Sequence, residues 1–304
     1  MLAVVAAAVL FGTTGTAQAL GPTGTDPLGV GAMRLVVGGT VLAALGFALA
    51  RRRRRRPGST GNPALTRRAI LLMASTGVCL AAYQPLFFLG TARNGVAVGT
   101  VIALGSAPVL AGIIEWLLTR RIPRASWLVA TALATAGVAV LAFAGGGDAG
   151  TDPVGILGSL GAGASFAVFA NAQRRLMDAG WDPFTVAGAM GFGSAVSALA
   201  MLPFASLGWL TDPRGVAMVL WLGLATIAVA YTLFTWGLER LTAATAATLT
   251  LAEPLTAAIL GILVLGERLP PLAIAGLVVL GTGLVLLAMG SRARRDPRPF
   301  AVEG

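Results

Sequence analysis

Two charged side chains stand inside apolar runs, where charge is costly: Glu253 and Arg34. Glu253 lies about 11 residues into the run 242–265, or about 16 Å deep at 1.5 Å per residue. That is close to the middle of a hydrocarbon layer about 30 Å thick. A carboxylate there must face a cavity or a partner, and such residues commonly hold substrate or carry protons. The alternative is a protonated, hydrogen-bonded structural glutamate. Desolvation penalises the charged form, so a carboxylate at this depth can change protonation within a physiological gradient, and proton coupling is an expectation. Pro254 follows, removes a backbone donor and predicts a kink, which would free carbonyls to line a cavity. Arg34 lies about 9 Å inside its run by helix rise, near the N-terminal end, where the helix dipole opposes a cation. It either snorkels to the interface or pairs with an acid or an anionic substrate group. Glu253 is its expected charged partner.

Weaker candidates surround these two. Gln18, Gln84, Asn171 and Gln173 are polar groups in or near apolar runs that could contact a solute. Tyr83, Tyr231, Trp236, Phe87 and Phe88 could supply aromatic walls, although aromatic residues near an interface are also plain anchors. Glu115 is expected in an interfacial ion pair with Arg120 or Arg121.

Other chemistry has no residues to carry it. The chain has no histidine and a single cysteine, Cys79. No zinc-ligand cluster, no GxxxxGK[ST] sequence and no nucleophile beside a general base is legible. The expectation is a protein that is not an enzyme, with no metal and no cofactor; ATP-driven transport would need a separate subunit.

The elements that position these residues follow from composition. Of 304 residues, 56% are apolar and only 11% charged, against about 25% charged in a soluble domain. Runs of membrane-spanning length occur at about 2–20, 28–50, 69–89, 95–118, 126–144, 154–171, 184–204, 216–237, 242–265 and 272–290. They are too long for strands and lack the alternation of a barrel. The expected fold is an all-α polytopic membrane protein with ten transmembrane helices. The abundant glycine and alanine suit helix packing in lipid. Ala17-Gln18-Ala19 resembles a signal-peptidase site, but no positive residue precedes the run, so a retained first helix is expected.

All 22 basic residues are arginine. With alternate gaps given to opposite sides, all but Arg34, Arg93, Arg214 and Arg268 fall on one side. The positive-inside rule makes that side cytoplasmic, with both termini cytoplasmic, in the inner membrane. The run Arg51 to Arg56 is expected to anchor the second helix, and no nucleic-acid partner is inferred.

An internal repeat relates 83–123 to 231–270. Tyr83 matches Tyr231, Gly90 matches Gly237, Arg93 matches Arg240, Pro108 matches Pro254 and Pro123 matches Pro270. Kinks are therefore expected at both Pro108 and Pro254, while the acid before Pro254 is Ala107 in the first copy. The offset is half the chain and spans five helices, an odd number, so the second copy is inverted. Inverted repeats characterise secondary transporters.

The whole chain resembles the EamA-type transporters of the drug/metabolite transporter superfamily. The resemblance is carried by FGTTGTAQAL (11–20), VGAMRL (30–35) and LTAATAATLTLAEPLTAAILGILVLGERLP (241–270). The first half departs at Thr119-Arg120, where the second has Gly266-Glu267. The resemblance implies two inverted five-helix repeats, 1–145 and 153–290, a cytoplasmic tail 291–304, and a central cavity lined mainly by helices other than the fifth and tenth. It also implies export or exchange of small metabolites such as amino acids. Efflux of drugs or toxic compounds is the second reading, and a membrane-embedded enzyme, channel or scaffold the reading of another class. Expected partners are a small-molecule substrate and the lipid bilayer; a homodimer is an open expectation.

Overall fold

A computed structural model describes residues 1–56, 61–121, 123–144 and 152–292. Ten helices in it are long and apolar enough to cross a membrane. They are α1 (Leu2–Ala19), α2 (Pro27–Arg54), α3 (Arg67–Gly95), α4 (Val98–Thr119), α5 (Ala125–Phe143), α6 (Pro153–Asp178), α7 (Pro183–Phe204), α8 (Pro213–Leu238), α9 (Ala243–Leu265) and α10 (Pro271–Gly290). The chain is thus an all-α polytopic membrane protein. The expected tail lies outside the described residues from 293 onward.

Four helices start on the same two-residue device. Asp26-Pro27, Asp152-Pro153, Asp182-Pro183 and Asp212-Pro213 open α2, α6, α7 and α8. Each aspartate accepts hydrogen bonds from backbone N–H groups of the first turn, and each proline occupies a position whose N–H would be unpaired anyway. Thr66 and Thr242 cap α3 and α9 in the same way. At their other ends α4 and α9 both stop on a left-handed residue, Arg120 (φ 57°) and Gly266 (φ 70°). The glycine adopts this without a Cβ clash; the arginine bears the cost of one.

Side-chain contacts define two ends. Arg53 at the end of α2 reaches Asp182 before α7 and Glu239 after α8. Glu115 near the end of α4 accepts from the Ala244 N–H at the start of α9, at 3.0 Å. These share the end that carries most arginines. At the opposite end, Asn94 in the last turn of α3 exchanges two hydrogen bonds with the backbone of Asp152 before α6, and Asp26 before α2 accepts from the Ser206 N–H after α7.

α6 and α8 are the most enclosed helices, and α5 and α10 lie against each other at the side. The α5–α10 contact is backbone on backbone: a Cβ on Gly137 would strike Leu280. α2 crosses α8 as closely at Gly38, where a Cβ would meet Ile227 at 2.5 Å. Small residues permit such approach where no water drives burial. Large side chains point outward instead, among them Leu71, Leu128, Phe192, Leu263 and Val278, as a lipid-facing surface requires.

The two helix prolines sit in different surroundings. α9 breaks at Thr250 and Leu251, one turn before Pro254, giving two pieces, Ala243–Leu249 and Ala252–Leu265. Pro254 cannot donate to the Thr250 carbonyl, and Glu253 N–H takes its place at 2.9 Å. The Thr250 hydroxyl in turn donates to the Ala247 carbonyl at 2.7 Å. Each of these two carbonyls thus has a donor within the break. α4 has no such break. Its helical path runs through Pro108, and the non-helical residue in this region is Gly95 (φ 79°, ψ 158°), between α3 and α4. α6 presses on α4 at this level, where a Cβ on Gly163 would strike Ser106 and meet the Ala103 carbonyl at 2.8 Å. α6 thus packs closely on α4 beside Pro108.

Candidate functional site

Four of the sequence candidates come together in the middle of the bundle: Arg34 on α2, Tyr83 on α3, Tyr231 on α8 and Glu253 on α9. Each lies within electrostatic reach of the other three. All four are surrounded by protein, yet Arg34, Tyr83 and Glu253 keep water-accessible surface. They therefore face an internal cavity. Arg34 and Glu253 do not form an ion pair, and the Arg34 Nε is buried without a hydrogen-bond partner among the described residues. Glu253 sits in the first turn of the second piece of α9, at a helix N-terminus whose dipole favours an anion. A broken helix thus presents a carboxylate at mid-depth, opposite a cation.

Local structure explains the placement. The Gly38 crossing brings α8 onto α2 one turn from Arg34. α8 is π-helical from Leu224 to Val229, and this extra winding sets the direction of Tyr231 just beyond it. Such segments recur at functional sites. Gly12 on α1 receives the Glu253 backbone, its Cβ position lying 2.7 Å from the Glu253 carbonyl oxygen. Gln84 is buried beside Gly31 on the α2–α3 seam, one turn from Arg34.

Aromatic rings surround the group. Phe11 packs on Tyr231 at 5.0 Å between centroids, and Tyr83 stacks on Phe87 at 5.9 Å. Phe166, Phe169 and Phe234 continue from Tyr231 as a cluster of edge-on and tilted rings. That cluster closes the cavity toward the arginine-rich end.

Two more layers lie below the rings. Thr235 donates to Gln173 Oε1 at 2.9 Å. Arg174, only 5% exposed, donates to the carbonyls of Leu238, Glu239 and Leu241 at 2.9–3.0 Å and pairs with both Asp178 oxygens. The opposite direction is open. The inward stripe of α1 runs Val4, Ala8, Phe11, Gly15, Gln18, and burial stops after Phe11. Gly15 is exposed with nothing within 4 Å of its Cβ position. Protein therefore covers this stripe of α1 up to Phe11 and leaves it uncovered toward the end opposite the arginines.

The other candidates are placed elsewhere. Gln18 is half-buried two turns from Phe11, at the open mouth. Trp236 is 49% exposed and lines a separate lateral cavity of about 630 Å³ with Met1 and Arg240, which holds none of the central four. Asn171 donates to the carbonyls of Ala111 and Ala167 and so ties α6 to α4. Glu115 caps α9 rather than pairing with Arg120 or Arg121. Arg174 was not singled out in the sequence; its i,i+4 spacing to Asp178 was the available signal. No group of three or more metal-ligating side chains occurs among the described residues.

Comparison with known proteins agrees with this architecture. The model of the EamA-like transporter family matches twice, over 1–143 and 153–289. The chain is 38% identical over 294 residues to "Uncharacterized transporter YwfM" of Bacillus subtilis (strain 168), covering 97% of this chain and 95% of that protein. A solved crystal structure shares the fold with a TM-score of 0.77 at 20% identity, over 96% of this chain and 97% of the other. The chain belongs to the EamA-like transporter family, a membership that supports small-molecule transport.

Proposed function

We propose that the protein is a secondary carrier that exports or exchanges small zwitterionic metabolites, amino acids foremost, across the inner membrane without altering them chemically. The observation that carries this reading is the pair Arg34 and Glu253: opposite charges at mid-depth, facing one cavity and not neutralising each other. A solute carboxylate suits Arg34 and a solute ammonium suits Glu253, with Tyr83, Tyr231 and Phe11 packing on its side chain. The guanidinium also offers bidentate hydrogen bonds to a carboxylate. By the arginine distribution the closed end is cytoplasmic, as are both termini, and the cavity opens outward. The inverted repeat provides a second arrangement that opens inward, as alternating access requires. Glu253 is the group available to carry a proton.

Transport in sealed proteoliposomes loaded with a mixture of radiolabelled amino acids tests this. Saturable exchange of intact solute is expected. Chemically altered solute would indicate an enzyme, non-saturable flux a channel, and flux confined to lipophilic cations the drug-efflux reading.

A further inference from the structure

Four side-chain amides are buried among the described residues: Gln84, Asn94, Asn171 and Gln173. Protein satisfies three of them. Asn94 bonds the Asp152 backbone, Asn171 bonds two carbonyls, and Gln173 bonds the Thr235 hydroxyl and, at 2.8 Å, the Met190 sulfur. Gln84 differs. It is only 5% exposed, yet its amide has no hydrogen-bond partner among the described residues. Nor is that amide sealed off, as the Arg34 Nε is. It therefore faces space inside the bundle. Its place on α3 identifies that space. The preceding residue, Tyr83, is one of the central four. The Gln84 Cβ lies 3.4 Å and its Cγ 3.7 Å from the Cβ position of Gly31. Gly31 stands one turn from Arg34 on α2, a separation of about 5–6 Å between Cβ positions. The Gln84 amide and the Arg34 guanidinium thus extend from adjoining points of one helix seam. The Phe88 ring, 3.5 Å from the same Gly31 position, offers the amide no hydrogen bond. A buried amide without a protein partner is costly, and here water or a solute must relieve it.

We propose that Gln84 selects among solutes: with the solute carboxylate on Arg34 and its ammonium on Glu253, the Gln84 amide bonds the side chain. The preferred solutes are then amino acids with an uncharged polar side chain, a hydroxyl or a carboxamide, over aliphatic ones of the same shape. The inference rests on the carrier reading above and narrows its substrate class. A hydroxyl or carboxamide both donates and accepts, and so replaces the water it displaces from the amide. An aliphatic side chain displaces that water and leaves the amide unpaired. A site built to bond such a group rejects the analogue that lacks it.

Exchange of threonine and of valine, nearly equal in shape, by the whole protein in proteoliposomes tests it. The wild type should show an apparent KM for threonine about tenfold below that for valine. Gln84→Leu should raise the threonine value toward that of valine and leave the valine value and both maximal rates nearly unchanged. A merely structural role would move both solutes together. A second variant, Gln84→Cys in a Cys79→Ser background, should react with a water-soluble thiol reagent, and threonine should slow the reaction more than valine does. Equal KM values in the wild type, a parallel loss for both solutes in Gln84→Leu, or no reaction at position 84 would overturn the proposal while the carrier reading stands. Absence of exchange with every amino acid would overturn that reading and this inference with it.

Discussion

Arg34 and Glu253 lie within electrostatic reach across a mid-membrane cavity without forming an ion pair. A direct pair would satisfy both charges and leave a solute little to gain. The gap has structural causes on both sides. Arg34 is fixed by the α2–α8 crossing at Gly38. Glu253 is fixed by the break in α9 and by Gly12, which admits the α9 backbone.

Arg174 should hold the closed end. Arg174→Ala strips three carbonyls of their donor and leaves Asp178 buried without its cation, which should cost the closed arrangement about 3 kcal/mol. Labelling a cysteine introduced at Thr235, in a Cys79→Ser background, should become faster from the arginine-rich side. Arg174→Lys should rescue only partly, because an ammonium cannot reproduce the guanidinium fork. Unchanged labelling would remove Arg174 from the closure.

Tyr231 joins the solute site to the aromatic plug. Tyr231→Phe should keep the plug and raise the apparent KM, since only the hydroxyl is lost. Tyr231→Ala should remove contacts with Phe11, Phe169 and Phe234, destabilise the fold by about 3 kcal/mol and let solute leak down its gradient. Calorimetry paired with leak measurements in proteoliposomes separates the two effects.

Much of this was legible in the sequence, and the misses have physical reasons. Hydropathy alone locates the ten spans, because lipid demands long apolar runs. It ends α6 near 171, whereas the helix continues to Asp178, because Gln173 and Arg174 lower the hydropathy of a segment whose polarity is satisfied inside the protein. The break in α9 coincides with Pro254, whereas α4 carries the same proline signal at Pro108 with its helical path unbroken. The π-helical segment of α8 leaves no pattern in single-residue properties. Depth and charge singled out Arg34 and Glu253; that they share one cavity with Tyr83 and Tyr231 depends on helix contacts that no local signal encodes.

Asp152 should make stability sensitive to acid. Its carboxyl is held below the usual carboxylate range, chiefly by the Gly155 N–H and further by Val154 and Arg93, against desolvation. A depressed value means that the cap on α6 is complete above the ordinary carboxylate range and is lost as pH falls through the folded-state value. Thermal unfolding followed from neutral to acidic pH should show this loss, and Asp152→Asn should flatten it. An unaltered acid limb in that variant would assign it to other groups.

The arginine distribution predicts the orientation. Reporter fusions after Gly61 and after Gly147 should mark the cytoplasm and the periplasm respectively. The reverse at either position would contradict the assignment of the closed end to the cytoplasm.

The central claim is that Glu253 takes part in the transport cycle together with Arg34. The most direct measurement compares gradient-driven flux and solute exchange, as functions of pH, for the wild type and Glu253→Gln at matched protein density in proteoliposomes. If Glu253 carries a proton, the variant should lose gradient-driven flux, while exchange, which moves no net proton, persists at a pH-independent rate. Arg34→Gln should abolish both, because the solute carboxylate loses its cation. Rates and pH profiles for Glu253→Gln equal to those of the wild type would contradict the account.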